Sequence, residues 1–149
     1  MKDRVYYGFL AGLGASAVRF VYGWIITFIL DSFGYNITRW HDFAGSILYG
    51  FKPILWYETA FAELSVIGFE ATLGIGFAYF IKHTTSSHYY FKGWLYGTVV
   101  WFSAFAVTTL FKAPGVEVIS AISTIINMSA AMLYGLALAF TSKRIVSTH

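Results

Sequence analysis

The chain contains four apolar runs that are each long enough to cross a bilayer as a helix. They lie at about Val5–Leu30, Glu58–Ile81, Phe91–Phe111 and Glu117–Thr141. A hydrocarbon core about 30 Å thick needs roughly 20 apolar residues per helical span. Backbone groups cannot stay unpaired in lipid, so each run must fold as a helix. The predicted fold is therefore all-α, an integral membrane four-helix bundle forming a single transmembrane domain over residues 1–149.

The composition agrees with lipid as the main solvent of the surface. Only 11% of the residues are charged, whereas a soluble domain usually carries about 25%. The net charge of +3 comes from short clusters between the apolar runs, which predicts no nucleic-acid partner. The chain has no cysteine, which excludes disulfides, thiolate metal sites, iron–sulfur clusters and thiol chemistry.

Basic residues are concentrated before the first run, between the second and third runs, and after the last run. They are Lys2, Arg4, Lys82, Lys92, Lys143 and Arg144. In the other two connections, acidic residues balance the basic ones. The positive-inside rule therefore predicts that both termini and the 82–92 connection are cytoplasmic. Lys82, Lys92, Lys143 and Arg144 are predicted to contact anionic lipid head groups there.

The first connection is longer than a turn needs, and its pattern predicts a short helix over about 38–49. Spacings of three and four place five apolar residues on one face, namely Trp40, Phe43, Ala44, Ile47 and Leu48. Thr38 is the expected N-cap, and Asp42 and Ser46 lie off the apolar face. We expect this helix to lie in the outer membrane interface. The alternative is a loop packed over the bundle.

An internal repeat relates the two halves of the chain. The first and third runs open with a glycine pair, "GFLAG" at Gly8–Gly12 and "GWLYG" at Gly93–Gly97. The second and fourth share a looser pattern, "IGFEATLGIGFA" from Ile67 and "INMSAAMLYGLA" from Ile126. Two tandem helical hairpins related by a pseudo-two-fold axis along the membrane normal would explain both. The alternative is that small residues at such spacing are common wherever membrane helices pack.

One polar or aromatic residue lies near the midpoint of each run: Arg19, Glu70, Trp101 and Asn127. An unpaired arginine at the centre of a membrane helix costs roughly 2.5–3.5 kcal/mol on insertion scales. A contact between Arg19 and Glu70 would lower the cost of both charges, and Asn127 could fill the remaining hydrogen-bond positions. The sequence thus predicts a buried polar layer at the bilayer midplane, with Trp101 at the same depth.

Glu63 lies two helical turns from Glu70 on the same face, toward the outer side. No second basic residue is expected at its depth. If it points inward, it would have to be partly protonated or reached by water, and it is then a candidate coupling carboxylate. The alternative is that Glu63 is hydrated near the outer interface. A buried pair of Arg19 and Glu70 could likewise set helix register or take part in ion coupling.

The residues that several kinds of cofactor site and catalytic site require are absent from the apolar runs. No histidine falls inside an apolar run, since His41, His83 and His88 lie in connections. This argues against a haem held between helices and against an intramembrane Ser–His hydrolase. His83 and His88 in "KHTTSSH" are predicted to be exposed loop residues and not metal ligands. We therefore expect a non-enzymatic protein with no cofactor and no metal.

Two stretches carry a resemblance to known families. They are "KGWLYGTVVW" (Lys92–Trp101) and "MLYGLALAF" (Met132–Phe140). Through them the chain resembles the YqhR-type small membrane proteins of spore-forming bacteria. It is also similar to the YagU-like inner-membrane family, which shares a glycine-rich hairpin ending near a proline, here Pro114. The resemblance implies a location in the bacterial cytoplasmic (inner) membrane and implies no catalytic or binding residue.

Two functions remain open from the sequence. The first is a scaffold or small subunit of a membrane assembly, in contact with lipids and with other membrane proteins or further copies of itself. The second is a small homo-oligomeric transporter or channel coupled to protons or cations through Glu63 and Glu70.

Overall fold

The computed structural model describes residues 3–84 and 87–147, and the predicted all-α fold is confirmed. Four helices are long and apolar enough to cross a membrane, and a short one lies in the first connection. The helices are α1 (Arg4–Ser32), α2 (Trp40–Tyr49), α3 (Trp56–Lys82), α4 (Tyr89–Leu110) and α5 (Ala121–Ser147). The protein is thus a helical-bundle, multi-pass membrane protein. Lys2, which contributed to the charge argument, lies outside the described residues.

Side-chain oxygens accept hydrogen bonds from backbone N–H groups at helix starts, those of α1 and α5 among them. Asp3 Oδ1 accepts hydrogen bonds from the backbone N–H groups of Val5 (2.9 Å) and Tyr6 (3.2 Å) at the start of α1. Ser120 Oγ accepts one from the backbone N–H of Ser123 at 3.2 Å. Such bonds satisfy donors that have no partner inside the helix. The fourth spanning helix therefore begins at Ala121, after the predicted start at residue 117.

The bundle consists of two hairpins joined on one side. α1 packs along α3, α4 packs along α5, and α1 also packs along α5. α3 and α4 barely touch, and between them lies an apolar groove of about 630 Å³ with α2 in its wall. A two-fold axis exchanging the hairpins would require α3 and α4 to pack as closely as α1 and α5 do. The repeat therefore holds within each hairpin but not in how the hairpins are joined.

Glycines bring the two helices of each hairpin into close contact. A Cβ atom added to Gly12 would lie 2.7 Å from the Cα atom of Ala71, and one added to Gly74 would collide with the carbonyl oxygen of Gly8. In the second hairpin, a Cβ atom on Gly135 would collide with the carbonyl oxygen of Gly93. Small residues at such crossings let membrane helices approach backbone to backbone.

The register predicted for the second half of the repeat is wrong by two residues. When the two sequence patterns are aligned, Gly76 is the equivalent of Gly135. In the structure Gly74 contacts Gly8 and Gly12 as Gly135 contacts Gly93 and Gly97. Gly76 instead faces the hydroxyl of Tyr96. A shift of two residues turns a helix by about 200° and so moves a residue to nearly the opposite face. Equivalent residues of the two hairpins are therefore those that face the partner helix, and the similarity of the sequences alone does not identify them.

The predicted short helix exists as α2, over Trp40–Tyr49. Asp42 and Ser46 are buried, whereas Ile47 is 74% exposed and Leu48 is 44% exposed. Where lipid is the outer solvent, polar groups gain more by turning inward, because they find hydrogen-bond partners only there. Asp42 Oδ2 accepts from the backbone N–H of Arg39 at 2.7 Å.

Thr38 is not the N-cap of α2, as had been predicted. Arg39 occupies that position, and Thr38 instead attaches the connection to α5. Its backbone N–H donates to Ser123 Oγ at 3.0 Å, and its carbonyl accepts from Asn127 Nδ2 at 2.7 Å. These bonds hold the start of α2 against the bundle.

The bundle has two ends. At the termini end α1 and α4 begin and α3 and α5 end, and at the α2 end the first and third connections meet.

Candidate functional site

Arg19 lies between two carboxylates of α3. Its Nη2 atom is 2.7 Å from Glu63 Oε1, and its Nε atom is 2.7 Å from Glu70 Oε1. All three side chains are less than 10% exposed. Glu63 and Glu70 are two turns apart on one face, so a long guanidinium side chain from α1 can reach both.

The predicted contact between Arg19 and Glu70 is present, but Glu63 had been placed apart from any basic residue, and that prediction is wrong. Depth estimated from the sequence treats side chains as points at their Cα atoms. The arginine side chain extends along the helix and spans the two turns between the carboxylates.

His41 is a member of the site that the sequence reasoning missed. It lies at the start of α2, is 5% exposed, and places Nδ1 3.0 Å from Glu63 Oε2. An ionised Glu63 can only accept, so Nδ1 donates in this contact. His41 lies in the first connection, as predicted, but its contact with Glu63 was not predicted, and that contact forms because α2 packs against α3. The signal available in the sequence was the set of polar residues on one side of a lipid-facing helix.

Arg19, His41, Glu63 and Glu70 together are called the Arg19 cluster. Its two carboxylates are not equivalent. Both oxygens of Glu63 are engaged, one by Arg19 and the other by His41. Glu70 Oε2 has no hydrogen-bond partner within the described residues, and the close approach of Arg19 Nε to Oε1 lacks hydrogen-bond geometry. Glu70 is the less well satisfied carboxylate.

A small chamber adjoins the cluster on the side of the α2 end. It has a volume of about 30 Å³, and its wall includes Arg19, His41, Glu63, Thr38 and Asn127. A cavity needs only about 10–15 Å³ of probe-occupied volume and two to four polar partners to hold a water molecule. The chamber therefore has both the size and the polar lining that a bound water requires.

The opposite side of the cluster is closed by apolar packing. The core there consists of Ala11, Ala15, Phe77, Tyr134, Leu138 and Ala139. Below Arg19, the close crossing of Gly12 with Ala71 leaves no gap between α1 and α3. The Tyr134 hydroxyl donates to the backbone carbonyl of Glu70 at 2.6 Å and so does not reach its carboxylate. In this conformation water can approach the cluster from the α2 end.

Asn127 and Trp101 do not join the cluster, contrary to the predicted polar layer. Asn127 Nδ2 donates to the backbone carbonyls of Thr38 (2.7 Å) and Ser123 (2.8 Å). Trp101 packs on Phe105, with ring centroids 5.3 Å apart. Equal depth did not produce contact, because Trp101 lies on α4, which packs on α5 rather than on α1 or α3.

The four residues predicted to contact lipid head groups all lie toward the termini end. Lys82 ends α3, and Lys92 lies in the first turn of α4. Lys143 Nζ lies 5.9 Å from the centre of the Tyr90 ring, and the Arg144 guanidinium lies 4.4 Å from that of Phe140. These basic residues are thus all at one end of the bundle, as their positions in the sequence predicted.

No group of three or more His, Asp or Glu side chains in residues 3–84 and 87–147 is arranged to hold a metal ion. Comparison of the chain with protein-family models, with curated proteins and with solved structures finds no match.

Proposed function

We propose that the protein is a small proton-coupled membrane transporter in which the Arg19 cluster holds the exchanged proton. One observation carries the proposal. Two carboxylates each lie 2.7 Å from a single buried guanidinium, and an imidazole lies 3.0 Å from one of those carboxylates. A purely structural ion pair needs one carboxylate.

The charges of the cluster explain why it would bind a proton. With both glutamates ionised and His41 neutral, one positive charge faces two negative charges. An uncompensated charge in a low-dielectric interior costs several kcal/mol. One added proton, on Glu70 or on the pair of His41 and Glu63, makes the cluster neutral. Glu70 is the favoured carrier, since its second oxygen has no hydrogen-bond partner within the described residues.

The surroundings of the cluster support exchange from one side at a time. The chamber of about 30 Å³ lies toward the α2 end, and the glycine crossing lies toward the termini end. A water in the chamber would reach His41 and Glu63, which line it. Glu70 is not part of the lining, so exchange with the α2 side also requires the proton to pass between Glu63 and Glu70. Release to the other side requires α1 and α3 to separate at that crossing, which is the conformational step expected of a transporter.

Proton flux into liposomes tests this proposal. Purified protein is reconstituted with a trapped pH-sensitive dye, and a pH gradient is imposed. We expect flux above that of empty liposomes and a reduction of at least about tenfold in Glu70→Gln, because an amide cannot carry the proton. Infrared difference spectra should show a protonated carboxyl band that is absent from Glu70→Gln.

Glu117→Gln is the matched control, since Glu117 is exposed in the third connection. Its flux should equal that of the unmodified protein. A Glu70→Gln protein that folds and conducts protons normally, or an unmodified protein whose infrared spectrum contains no titrating carboxyl band, would contradict the proposal.

A second candidate function is a non-enzymatic scaffold or subunit of a membrane assembly. Its support is the full pairing of Glu63 together with the open α3–α4 groove of about 630 Å³. Native mass spectrometry of the protein extracted gently from its own membrane separates the two. A defined complex with other polypeptides favours the subunit role, and a homo-oligomer without them favours transport.

The proposal includes a location and a topology. We propose the bacterial inner membrane with both termini cytoplasmic. Its support is the resemblance to the YqhR-type and YagU-like proteins and the concentration of Arg4, Lys82, Lys92, Lys143 and Arg144 at the termini end. A cysteine placed after α5 and labelled in intact cells by a membrane-impermeant reagent tests the topology, and labelling there would contradict it.

A further inference from the structure

A second polar cavity lies at the termini end, far from the Arg19 cluster. It has a volume of about 410 Å³ and lies between the ends of α1, α3 and α5 and the start of α4. This size is within the range of about 300–1,000 Å³ typical of small-molecule sites. Its polar lining consists of Arg4, Tyr7, Lys82, Thr84, Tyr89 and Ser142.

The charge of this cleft is positive. Arg4 and Lys82 are exposed, and no carboxylate residue is part of the lining. The neighbouring Asp3 carboxylate is engaged in capping α1. Neither Arg4 nor Lys82 forms an ion pair with any residue in the described part of the chain. The two cations therefore face the cleft without a compensating anion.

Hydrogen-bonding groups accompany these two cations. Tyr7, Tyr89 and Ser142 are hydroxyl residues of the wall, as is Thr84, whose hydroxyl donates to the backbone carbonyls of Phe80 and Ile81. Ser142 Oγ is buried and has no hydrogen-bond partner among residues 3–84 and 87–147. A guanidinium and an ammonium with hydroxyl donors form the donor set that proteins use for phosphate. Ile81, Ile145 and Ala78 make the remainder of the wall apolar.

We propose that this cleft binds the phosphate group of an anionic ligand, supplied by a lipid head group or by a soluble phosphate ester. The site differs from a general attraction of basic residues to the membrane, because Arg4 and Lys82 alone of the described basic residues at this end line it. Lys92, Lys143 and Arg144 lie outside its lining. The inference does not rest on proton coupling by the Arg19 cluster.

Lipid binding to paired variants tests the proposal. Delipidated protein in a neutral detergent is titrated with phosphatidylglycerol, and bound lipid is counted by native mass spectrometry. The double variant Arg4→Gln with Lys82→Gln should bind the lipid about tenfold or more weakly, since each basic group near a lipid phosphate strengthens binding of the anionic lipid. Lys143→Gln with Arg144→Gln removes the same charge from the same end and should change binding by less than about twofold.

The exchange Arg4→Lys with Lys82→Arg keeps the charge and should retain binding. Equal weakening by the two neutral pairs would overturn the proposal in favour of diffuse attraction, and unchanged binding in Arg4→Gln with Lys82→Gln would overturn it outright. Soluble glycerol phosphate identifies the source of the ligand. If it displaces the lipid, the cleft takes phosphate esters in general, and if it does not, the ligand is a lipid.

Discussion

The two hairpins of the bundle pack in the same way but bury different chemistry. In each, a glycine pair on the first helix meets a glycine on the second: Gly8 and Gly12 meet Gly74, and Gly93 and Gly97 meet Gly135. Counting along the helices in this register identifies the equivalent positions. Where the first hairpin has Arg19, Glu63 and Glu70, the second has Ala104, Thr124 and Ala131.

This difference separates the causes of packing from the causes of charge burial. The second hairpin attains the same close crossing without ionised groups in the equivalent positions. Burying charges is also expensive in a membrane. Charge is therefore not required for hairpin formation in this protein, and the Arg19 cluster calls for another explanation. The proton-coupled function proposed above is such an explanation.

The largest effect is expected from Arg19→Ala. It leaves two buried carboxylates facing each other without a cation, and removing one partner of a buried pair typically costs about 3–5 kcal/mol. Thr124→Ala, at the position equivalent to Glu63, should change stability by less than about 0.5 kcal/mol. Reversible unfolding in mixed micelles measures both. Equal effects would show that the hairpins do not differ in how much they depend on their polar residues.

Two glycine substitutions test the register of the repeat. Gly74→Ala places a Cβ atom against the backbone of α1 and should cost about 1–3 kcal/mol by overpacking. Gly68 has open space around it, so Gly68→Ala should be neutral or stabilising by up to about 1 kcal/mol through helix propensity. Thermal unfolding of the two variants gives the comparison. If both were tolerated equally, the close crossing of α1 and α3 would be wrong.

Asn127→Ala is expected to have an intermediate effect in the second hairpin. The change removes the side-chain donor to the carbonyls of Thr38 and Ser123. Leaving a buried acceptor without a partner costs about 1–3 kcal/mol. Hydrogen exchange should rise most at residues 36–41, the segment that Asn127 holds. Unchanged protection of that segment would contradict its attachment to α5.

The smallest effect on stability is expected when the charged residues are replaced together. Arg19→Met, Glu63→Met and Glu70→Met in one chain, together with His41→Leu so that no imidazole is left without its Glu63 acceptor, make the whole cluster apolar. Replacing a whole buried ionic group by apolar residues is often neutral or stabilising, by up to about 4 kcal/mol. The variant should fold with the same close contact between α1 and α3, but it should lose proton flux completely. Failure to fold would favour an architectural role for the cluster.

The spanning helices and the Arg19–Glu70 contact could be predicted because each depends on local or nearly local information. Long apolar runs specify helices in lipid whatever their neighbours are. Two opposite charges at one depth have few alternative partners. Contacts of Asn127 and Trp101 could not be predicted in the same way, since depth alone does not say which helices are adjacent.

The place of His41 had a signal in the sequence that was not used. Ile47 and Leu48 lie opposite Asp42 and Ser46 on α2. With lipid outside, the same pattern predicts a helix whose polar side, including His41, faces the bundle.

The sequence by itself determined that the chain spans a membrane with four helices and that an arginine must find a carboxylate inside it. Both follow from the free energy of transferring residues into lipid, which depends mainly on the residues themselves. Only the tertiary structure decided that Arg19 contacts two carboxylates, that His41 completes the cluster, and that α3 and α4 pack far less closely than α1 and α5. Those features depend on which helices the glycine crossings bring together, and that is a property of packing geometry in three dimensions.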